Sequence, residues 1–438
     1  MREVINRAVC GAVALLLRSA LAVSVVSAVA TPPLDTANGA NEAAQAKSPV
    51  KALRSELKQE AGLPKSLNKQ PFANQSLTAA QAKQAKRVLW RHRRAHVKSD
   101  LQLNQNRGVV RAAGRKMRFI YRVYGNKPAG GRSLFISLHG GGGAPARVND
   151  RQWKNQARLY QPDEGVYLAP RAPTNAWNLW HKAHIDPLLD KLITQMIVAR
   201  DVNPNKVYLL GYSAGGDGVY QLAPRMADRW AAASMMAGHP NDASIRGLRN
   251  VPFSIHVGGK DSAYDRNEIA RKRAKKLNQL HKQDPGGYKH WTPRYPDKGH
   301  WLDREDARAL SWMADYTRDP HPNRVVWVQD DVTHNRLYWL KVDEQNERPG
   351  ATVVAQYQGQ HIRLKESSKV DELTVLLNDR MLNLDRPIKI TANGRTLFKG
   401  KATRTIATLY QTLRSRGDPA LVFSAAVTVQ LPSGDAGG

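Results

Sequence analysis

GYSAGG, at residues 211–216, is the most informative stretch of this 438-residue chain. It follows the short apolar run VYLL at 207–210 and precedes residues 217–226, whose composition predicts a helix. A serine in the pattern G-x-S-x-G, between a buried strand and a helix, is typical of a sharp turn that exposes the hydroxyl group. Glycine suits such a turn because a Cβ there would collide with the neighbouring strand or helix. The stretch therefore predicts an exposed hydroxyl on Ser213.

Segments typical of strands and helices alternate on both sides of this turn. Further strands are predicted at 117–124, 133–138, 166–170, 231–236 and 253–257. Helices are predicted at 187–200, 265–281 and 304–316. Strands that alternate with helices at this spacing form a mainly parallel sheet with helices on both faces. We therefore expect an α/β domain over residues 109–321.

Three further features follow the predicted strands and complete a pattern for acyl transfer. The glycine-rich run HGGGG at 139–143 comes directly after the strand at 133–138. Asp261 ends the run GGKD after the strand at 253–257, and His300 lies in KGHW before the last helix. A reactive serine needs a base, an acid that orients the base, and donors for the developing oxyanion. The order serine, aspartate, histidine is the order found in α/β-hydrolases.

Together these features resemble the serine-esterase branch of the α/β-hydrolase superfamily, near its polyhydroxybutyrate depolymerases, feruloyl esterases and dienelactone hydrolases. The resemblance covers residues 109–318 and implies an ester substrate, small or polymeric, and an acyl-enzyme intermediate. The residues that it implies are a triad of Ser213, Asp261 and His300, and an oxyanion hole made by the backbone N–H groups of Gly140, Gly141 and Ala214. It implies no metal and no organic cofactor.

Aromatic and histidine residues near the predicted strand ends are candidates for the substrate pocket. These are Trp177, Trp180, His181, His239 and Trp301. Aromatic residues at such positions are equally at home in a core. Asp265 is the second candidate for the acid, and His139 is expected to have a structural role in the glycine-rich loop.

Two alternative functions stay open on the sequence. A serine peptidase of the prolyl-oligopeptidase type has the same serine turn. A non-catalytic protein could instead use its basic surface and its β region to hold a polyanion. The intact order of serine, aspartate and histidine argues against this second alternative.

A β-rich region is predicted from residue 322 to residue 431. Strands are predicted at 325–328, 337–342, 352–357, 361–364, 373–377 and 388–391, with one helix at 403–416. This pattern favours a β-sandwich-like domain, followed by a flexible tail at 432–438. The join at 318–323 is short and contains Pro320 and Pro322, so we expect the β region to dock on the α/β domain.

The N-terminal part has the composition of an export signal and a linker. Residues 1–30 combine a basic start, an apolar middle and an A-x-A end, which predicts a signal peptide. The protein is therefore expected in the periplasm or secreted, or anchored in the membrane if the leader is not cleaved. Residues 31–108 are polar and basic, which favours a linker with a helix at 78–97.

Net charge and cysteine content limit the partners and the cysteine chemistry that the chain can have. The formal net charge is +30, which favours nonspecific contact with anionic surfaces but does not predict a specific nucleic-acid partner. Cys10 is the one cysteine, and it lies in the predicted leader. A mature chain without it has no disulfide and no cysteine-based metal site. No apolar run after the leader is long enough to predict a transmembrane helix.

Overall fold

The computed structural model describes residues 48–60, 62–99, 103–104 and 106–431. The predicted signal peptide at 1–30 and the predicted tail at 432–438 lie outside the described residues, as does the first part of the predicted linker, 31–47.

A nine-stranded sheet carries the Ser213 turn at the end of one of its central strands. Its strands are β1 (Leu103–Asn104), β2 (Arg107–Ala112), β3 (Arg115–Tyr124), β4 (Arg132–Leu138), β5 (Gly165–Pro170), β6 (Val202–Tyr212), β7 (Ala232–Met236), β8 (Phe253–His256) and β9 (His290–Trp291). The spatial order is β1-β2-β3-β5-β4-β6-β7-β8-β9. All pairs from β5 to β9 are parallel, and β1, β2 and β3 are added antiparallel. The predicted α/β-hydrolase fold, with its mainly parallel sheet, is confirmed.

Helices surround this sheet and extend beyond it. They are α1 (Pro49–Lys58), α2 (Ala79–Ser99), α3 (Ala146–Gln156), α4 (Ile185–Ala199), α5 (Ala214–Arg225), α6 (Arg266–Gln283), α7 (Ala309–Ala314) and α8 (Ile406–Arg416). None of the helices in the described part of the chain combines the length and the apolar character needed to cross a bilayer.

Strand β6 is buried on both faces, as a central strand of a parallel sheet must be. Val207 and Leu209 lie in one hydrophobic cluster with residues of α4, α5 and α6. Tyr208 and Leu210, which alternate with them, lie in a second cluster with residues of α7. The period of two along the strand therefore divides one apolar run between two helical layers.

Two smaller sheets form the C-terminal region. Their strands are β10 (Arg324–Val328), β11 (Arg336–Leu337), β12 (Leu340–Lys341), β13 (Thr352–Gln358), β14 (His361–Ser368), β15 (Glu372–Leu377), β16 (Ile388–Ala392), β17 (Arg395–Gly400) and β18 (Ala425–Gln430). One sheet has the order β10-β13-β14-β16-β17 and the other β11-β12-β15-β18. Residues of both sheets, among them Val353, Leu364 and Val375, belong to one hydrophobic cluster. Strands β17 and β18 were not predicted from the sequence.

The prediction of a single strand at 337–342 is wrong. The chain forms two short strands, β11 and β12, on either side of a turn at Tyr338 and Trp339. Tyr338 has a φ of 52°, and its hydroxyl donates a 2.7 Å hydrogen bond to the carbonyl of Ala227. The indole of Trp339 donates to the carbonyl of Pro322 at 2.8 Å. These long-range bonds outweigh the strand propensity of two aromatic residues.

Buried ion pairs join the C-terminal region to the α/β region. Arg318 and Asp418 form a 2.8 Å pair, and Arg416 and Asp228 form another at 2.8 Å; all four side chains are at least nine-tenths buried. The described residues from Ser48 onward belong to one compact unit, so the β region is docked, as the short join predicted. The boundary between residues 321 and 322 stays a prediction.

Part of the predicted linker is packed into a core. Helices α1 and α2 share a hydrophobic cluster with α8, to which Val50, Leu53, Leu89, Leu409 and Leu413 contribute. The N-terminal helices therefore contact the C-terminal region directly, and burial of these side chains stabilises the contact.

Candidate active site

Ser213 occupies a strained turn between β6 and α5. Its φ of 58° and ψ of −124° lie outside the regions that non-glycine residues usually adopt. Its N–H is held by the carbonyl of Met236 at 2.9 Å. The glycines of the motif are required by close approach: a Cβ at Gly215 would lie 2.1 Å from the carbonyl oxygen of Leu138. The predicted turn is therefore present, and local packing holds the serine in its strained conformation.

A chain of hydrogen bonds links Ser213, His300 and Asp261. The Nε2 atom of His300 lies 3.0 Å from the Ser213 Oγ, and its Nδ1 lies 2.9 Å from the Asp261 Oδ2. The Asp261 side chain is 1% exposed, whereas that of His300 is 44% exposed. Asp265, the second candidate for the acid, is exposed, and the carboxylate that bonds to the His300 Nδ1 is that of Asp261. The structure thus brings together the three residues that the sequence singled out.

The loops that carry Asp261 and His300 are packed backbone to backbone. A Cβ at Gly258 would lie 2.1 Å from the carbonyl oxygen of Gly299. The N–H of Lys260 donates to the carbonyl of Lys298 at 2.9 Å, and that of Gly259 to Tyr295 at 2.8 Å. This direct contact sets the distance between the carboxylate and the imidazole.

Tyr212 connects the serine turn to the histidine loop, and the sequence analysis did not identify it. Its hydroxyl donates to the carbonyl of His300 at 2.6 Å and accepts from the N–H of Leu302 at 2.9 Å. Burial raises the pKa of Tyr212, so the phenol stays protonated and able to donate. Its place next to Ser213 was the available signal, but its partners lie about 90 residues further along the chain.

The glycine-rich loop is fixed by His139. Its Nδ1 lies 2.6 Å from the carbonyl oxygen of Gly140, and its Nε2 lies 3.2 Å from the backbone N–H of Ala172. Burial lowers the pKa of His139 to about 4, so the ring is neutral, with Nδ1–H as donor and Nε2 as acceptor. The indole of Trp180 also donates to the carbonyl of His139 at 2.9 Å. His139 therefore has the structural role expected from its sequence position.

The loop places glycine backbone against the serine. A Cβ at Gly140 would lie 3.1 Å from the Ser213 Cβ, and Gly141 has a φ of 104°, which favours glycine. Ala214 is the first residue of α5, where helix geometry leaves backbone N–H groups without intrahelical partners. Gly140 therefore lies against Ser213, Gly141 lines the same cavity, and Ala214 follows the serine directly. Their role as an oxyanion hole stays a prediction.

A cavity of about 670 Å³ opens at this site. It is lined by Ser213, His300, Gly140 and Gly141, and by Trp301, a residue that is 47% exposed. Trp301 packs on Tyr212 with a 5.6 Å distance between ring centroids. The rest of the lining is Gln152, Asn155, Gln156, Arg158, Leu159, Tyr212 and Arg304. The cavity is large enough for a small organic ester.

Four of the five predicted pocket residues do not line this cavity. Trp180 is fully buried beneath the glycine-rich loop, and Trp177 is 62% exposed and packs edge-on against His181. Burial lowers the pKa of His181 to about 4. His239 uses its backbone N–H to bind the carboxylate of Asp217 at 2.6 Å. A residue's position after a predicted strand does not indicate the direction in which its side chain points. Among the five predicted pocket residues, Trp301 alone lines the cavity.

Within the part of the chain that the structure describes, no group of three or more His, Cys, Asp or Glu side chains is arranged to hold a metal ion. The polar side chains that line the cavity include a serine hydroxyl, a phenol, an imidazole, guanidinium groups and carboxamides.

Comparison with known proteins gives structural likenesses alone. No protein-family model matches the chain, and no curated protein does. Among solved structures, a thermostable esterase is 18% identical, with a TM-score of 0.39; the match covers 51% of this chain and 64% of that one. A ferulic acid esterase is 14% identical (TM-score 0.35; 48% and 97% covered). A poly(3-hydroxybutyrate) depolymerase from Bordetella parapertussis is 16% identical (TM-score 0.36; 50% and 93% covered).

At such low identities and TM-scores the fold assignment rests on this chain's own sheet and serine turn. The first of these structures is matched over less than two thirds of its length. The second and third are matched over nearly their whole length by about half of this chain.

Proposed function

We propose that this protein is a serine hydrolase that cleaves carboxylic esters. The observation that carries the proposal is the hydrogen-bonded chain from the Ser213 Oγ through His300 to Asp261, at the wall of an open cavity. A serine hydroxyl is a weak nucleophile unless a base within hydrogen-bond distance takes its proton. The 3.0 Å distance between the Ser213 Oγ and the His300 Nε2 meets this requirement.

In the first half of the reaction, the Ser213 Oγ attacks the ester carbonyl carbon while its proton passes to the His300 Nε2. The Asp261 carboxylate accepts a hydrogen bond from the His300 Nδ1–H. That bond keeps Nε2 free to receive the proton and stabilises the imidazolium that forms. When the tetrahedral intermediate collapses, the imidazolium gives the proton to the leaving alcohol, and the acyl group stays on Ser213.

In the second half, water attacks the acyl-enzyme as His300 takes one of its protons. The negative charge on the carbonyl oxygen is stabilised in both halves by backbone N–H groups of Gly140, Gly141 and Ala214. Removal of one such donor typically costs 10²–10³ in turnover, so this contribution is large. Return of the proton from His300 to the Ser213 Oγ releases the acid and restores the starting state.

Ester turnover by the purified full chain tests the proposal. The substrates are 4-nitrophenyl acetate and butyrate, a feruloyl ester, a short polyester and a peptide anilide. We expect turnover of at least one ester and its loss in Ser213→Ala, with unchanged thermal unfolding. Ser311→Ala is the matched control, because that exposed serine hydroxyl bonds the carbonyl of Arg308, outside the cavity.

Two results would contradict this function. Ser213→Ala protein that keeps most of the wild-type rate would remove the serine from the reaction. Turnover of the peptide anilide without turnover of any ester would instead assign the site to a peptidase.

A further inference from the structure

The charged side chains that line the cavity, apart from the reactive residues, are all positive. Two guanidinium groups, those of Arg158 and Arg304, and three carboxamides, those of Gln152, Asn155 and Gln156, line it together with the reactive residues. No Asp or Glu is among the lining residues. The high net charge of the whole chain makes unpaired arginines common on its surface, so position is what distinguishes these two.

Arg304 has no carboxylate partner among the described residues, although acidic residues lie on both sides of it in the sequence. Asp303 and Glu305 each bind the ammonium group of Lys298, at 2.8 Å. Lys298 thus occupies both neighbouring carboxylates and leaves the Arg304 guanidinium without an ion pair. Arg158 likewise forms no ion pair with any residue that the structure describes; its Nη2 donates to the Asn155 Oδ1 at 3.3 Å.

The backbone at Arg304 is in a conformation that non-glycine residues seldom adopt. Asp303 has a φ of 52° and Arg304 a φ of 66°, so two successive residues are left-handed. Each such residue costs free energy, and the turn follows His300 by three and four positions. The chain therefore places Arg304 at the cavity through a strained turn in the loop that also carries His300.

From these observations we propose that the ester substrate carries a carboxylate, and that Arg304 and Arg158 bind this carboxylate while Ser213 attacks the ester group. The planar guanidinium group matches a carboxylate through two parallel hydrogen bonds and keeps its charge at any physiological pH. The carboxamides of Gln152 and Asn155 supply further donors on the same wall. This inference rests on the proposed function, since it names the class of ester that the site accepts.

Paired substrates of equal chain length test the inference. The two are 4-nitrophenyl butyrate and the 4-nitrophenyl monoester of succinic acid, which differ by a terminal carboxylate. We expect wild-type protein to have the higher kcat/KM for the succinate monoester, and the preference to fall as salt is added. In Arg304→Gln and in the double variant Arg158→Gln/Arg304→Gln, the ratio of the two kcat/KM values should fall roughly 10- to 100-fold, because a hydrogen-bonded charge is lost.

Arg151→Gln is the matched control, since Arg151 is an exposed arginine of α3 that does not line the cavity. Its ratio should equal the wild-type ratio. Equal kcat/KM for the two esters in wild-type protein would overturn the inference, and so would a preference that survives in the double variant.

Binding without turnover separates this inference from the proposed function. In Ser213→Ala protein, calorimetry with monomethyl succinate should show binding that the added Arg158→Gln/Arg304→Gln substitutions abolish. Binding of this kind together with no ester turnover by wild-type protein would contradict the proposed reaction and leave the carboxylate site standing. Turnover of both esters with no binding of monomethyl succinate would contradict the carboxylate site alone.

Discussion

Two aspartate–histidine pairs in this molecule each contain a carboxylate–imidazole hydrogen bond, but the groups that surround the two pairs differ. At the cavity, Asp261 accepts from the His300 Nδ1 at 2.9 Å. Between the α/β region and the C-terminal region, the Nε2 of His334 lies 2.7 Å from a carboxylate oxygen of Asp186. Asp186 also accepts two hydrogen bonds from Arg225, at 2.9 and 2.6 Å. In the first pair, the histidine also contacts a serine hydroxyl; in the second, the aspartate is held by a buried guanidinium group.

The difference shows what turns such a pair into a proposed catalytic device. The second ring nitrogen of His300 faces the Ser213 hydroxyl at an open cavity. Burial alone would raise the pKa of the Asp186 carboxyl, but attraction to Arg225 and the bond from His334 hold that pKa below its usual range. Asp186 is therefore charged and fully engaged, so we expect it to contribute to stability, whereas Asp261 is the residue proposed for turnover.

The largest expected effect is on turnover, from Asp261→Asn. Asparagine can present an N–H to the His300 Nδ1 and hold the ring in the tautomer that cannot take the serine proton. The same change in serine proteases costs on the order of 10⁴ in kcat. Steady-state kinetics on the best ester measures it, with thermal unfolding as the control for folding. A fall of less than about tenfold would mean that Asp261 is not the orienting acid.

The next largest effect is on stability, from Asp186→Asn. This change leaves the buried Arg225 guanidinium without its counter-charge, which typically costs about 3–5 kcal/mol in the free energy of unfolding. Urea unfolding measures it. Below the unfolding transition, kcat should stay near the wild-type value. Asp201→Asn is the control, because the exposed pairs of Asp201 with Arg94 and Lys127 contribute at most about 1 kcal/mol.

An Asp186→Asn protein with wild-type stability would contradict the contrast between the two pairs. Loss of turnover in folded Asp186→Asn protein would contradict it as well, because Asp186 would then take part in the reaction.

The smallest expected effect comes from Asp217, a partly buried carboxyl with no ion pair among the described residues. Burial raises its pKa to about 6 from an ordinary value near 3.8. Between pH 4 and pH 6 the folded state therefore binds more protons than the unfolded state, and stability falls as pH rises. This shift corresponds to at most about 3 kcal/mol above pH 6.

Asp217→Asn tests this pH dependence. Its oxygen can still accept from the His239 N–H, so the free energy of unfolding should rise at pH 7 and fall less steeply between pH 4 and pH 6. Burial also raises the pKa of Asp306 to about 6, so part of the slope should remain. Identical slopes in variant and wild type would contradict the raised pKa of Asp217.

The features that sequence predicted best depend on short-range order. The serine turn needs glycines within a few positions, and the clashes at Gly211 and Gly215 explain why. Asp261 and His300 each follow a recognisable loop signal, and the parallel sheet aligns the ends of their strands. These features are set locally, so a single sequence is enough to predict them.

Features set by long-range contacts could not be predicted in this way. Trp180 lies close in sequence to the other predicted pocket residues Trp177 and His181. Its side chain instead packs beside Gly218 and donates a hydrogen bond to the carbonyl of His139. For α1 a signal was present, because Val50, Leu53 and Leu57 have helical spacing. The polar composition around them concealed it.

The central claim is that Ser213 is the nucleophile, and covalent labelling tests it most directly. The full-length protein is treated with a fluorophosphonate ester, and the site of modification is located by peptide mass spectrometry. We expect one adduct, on the peptide that contains Ser213, and much slower labelling in Asp261→Asn. No adduct on wild-type protein, or an adduct on a different residue, would contradict it.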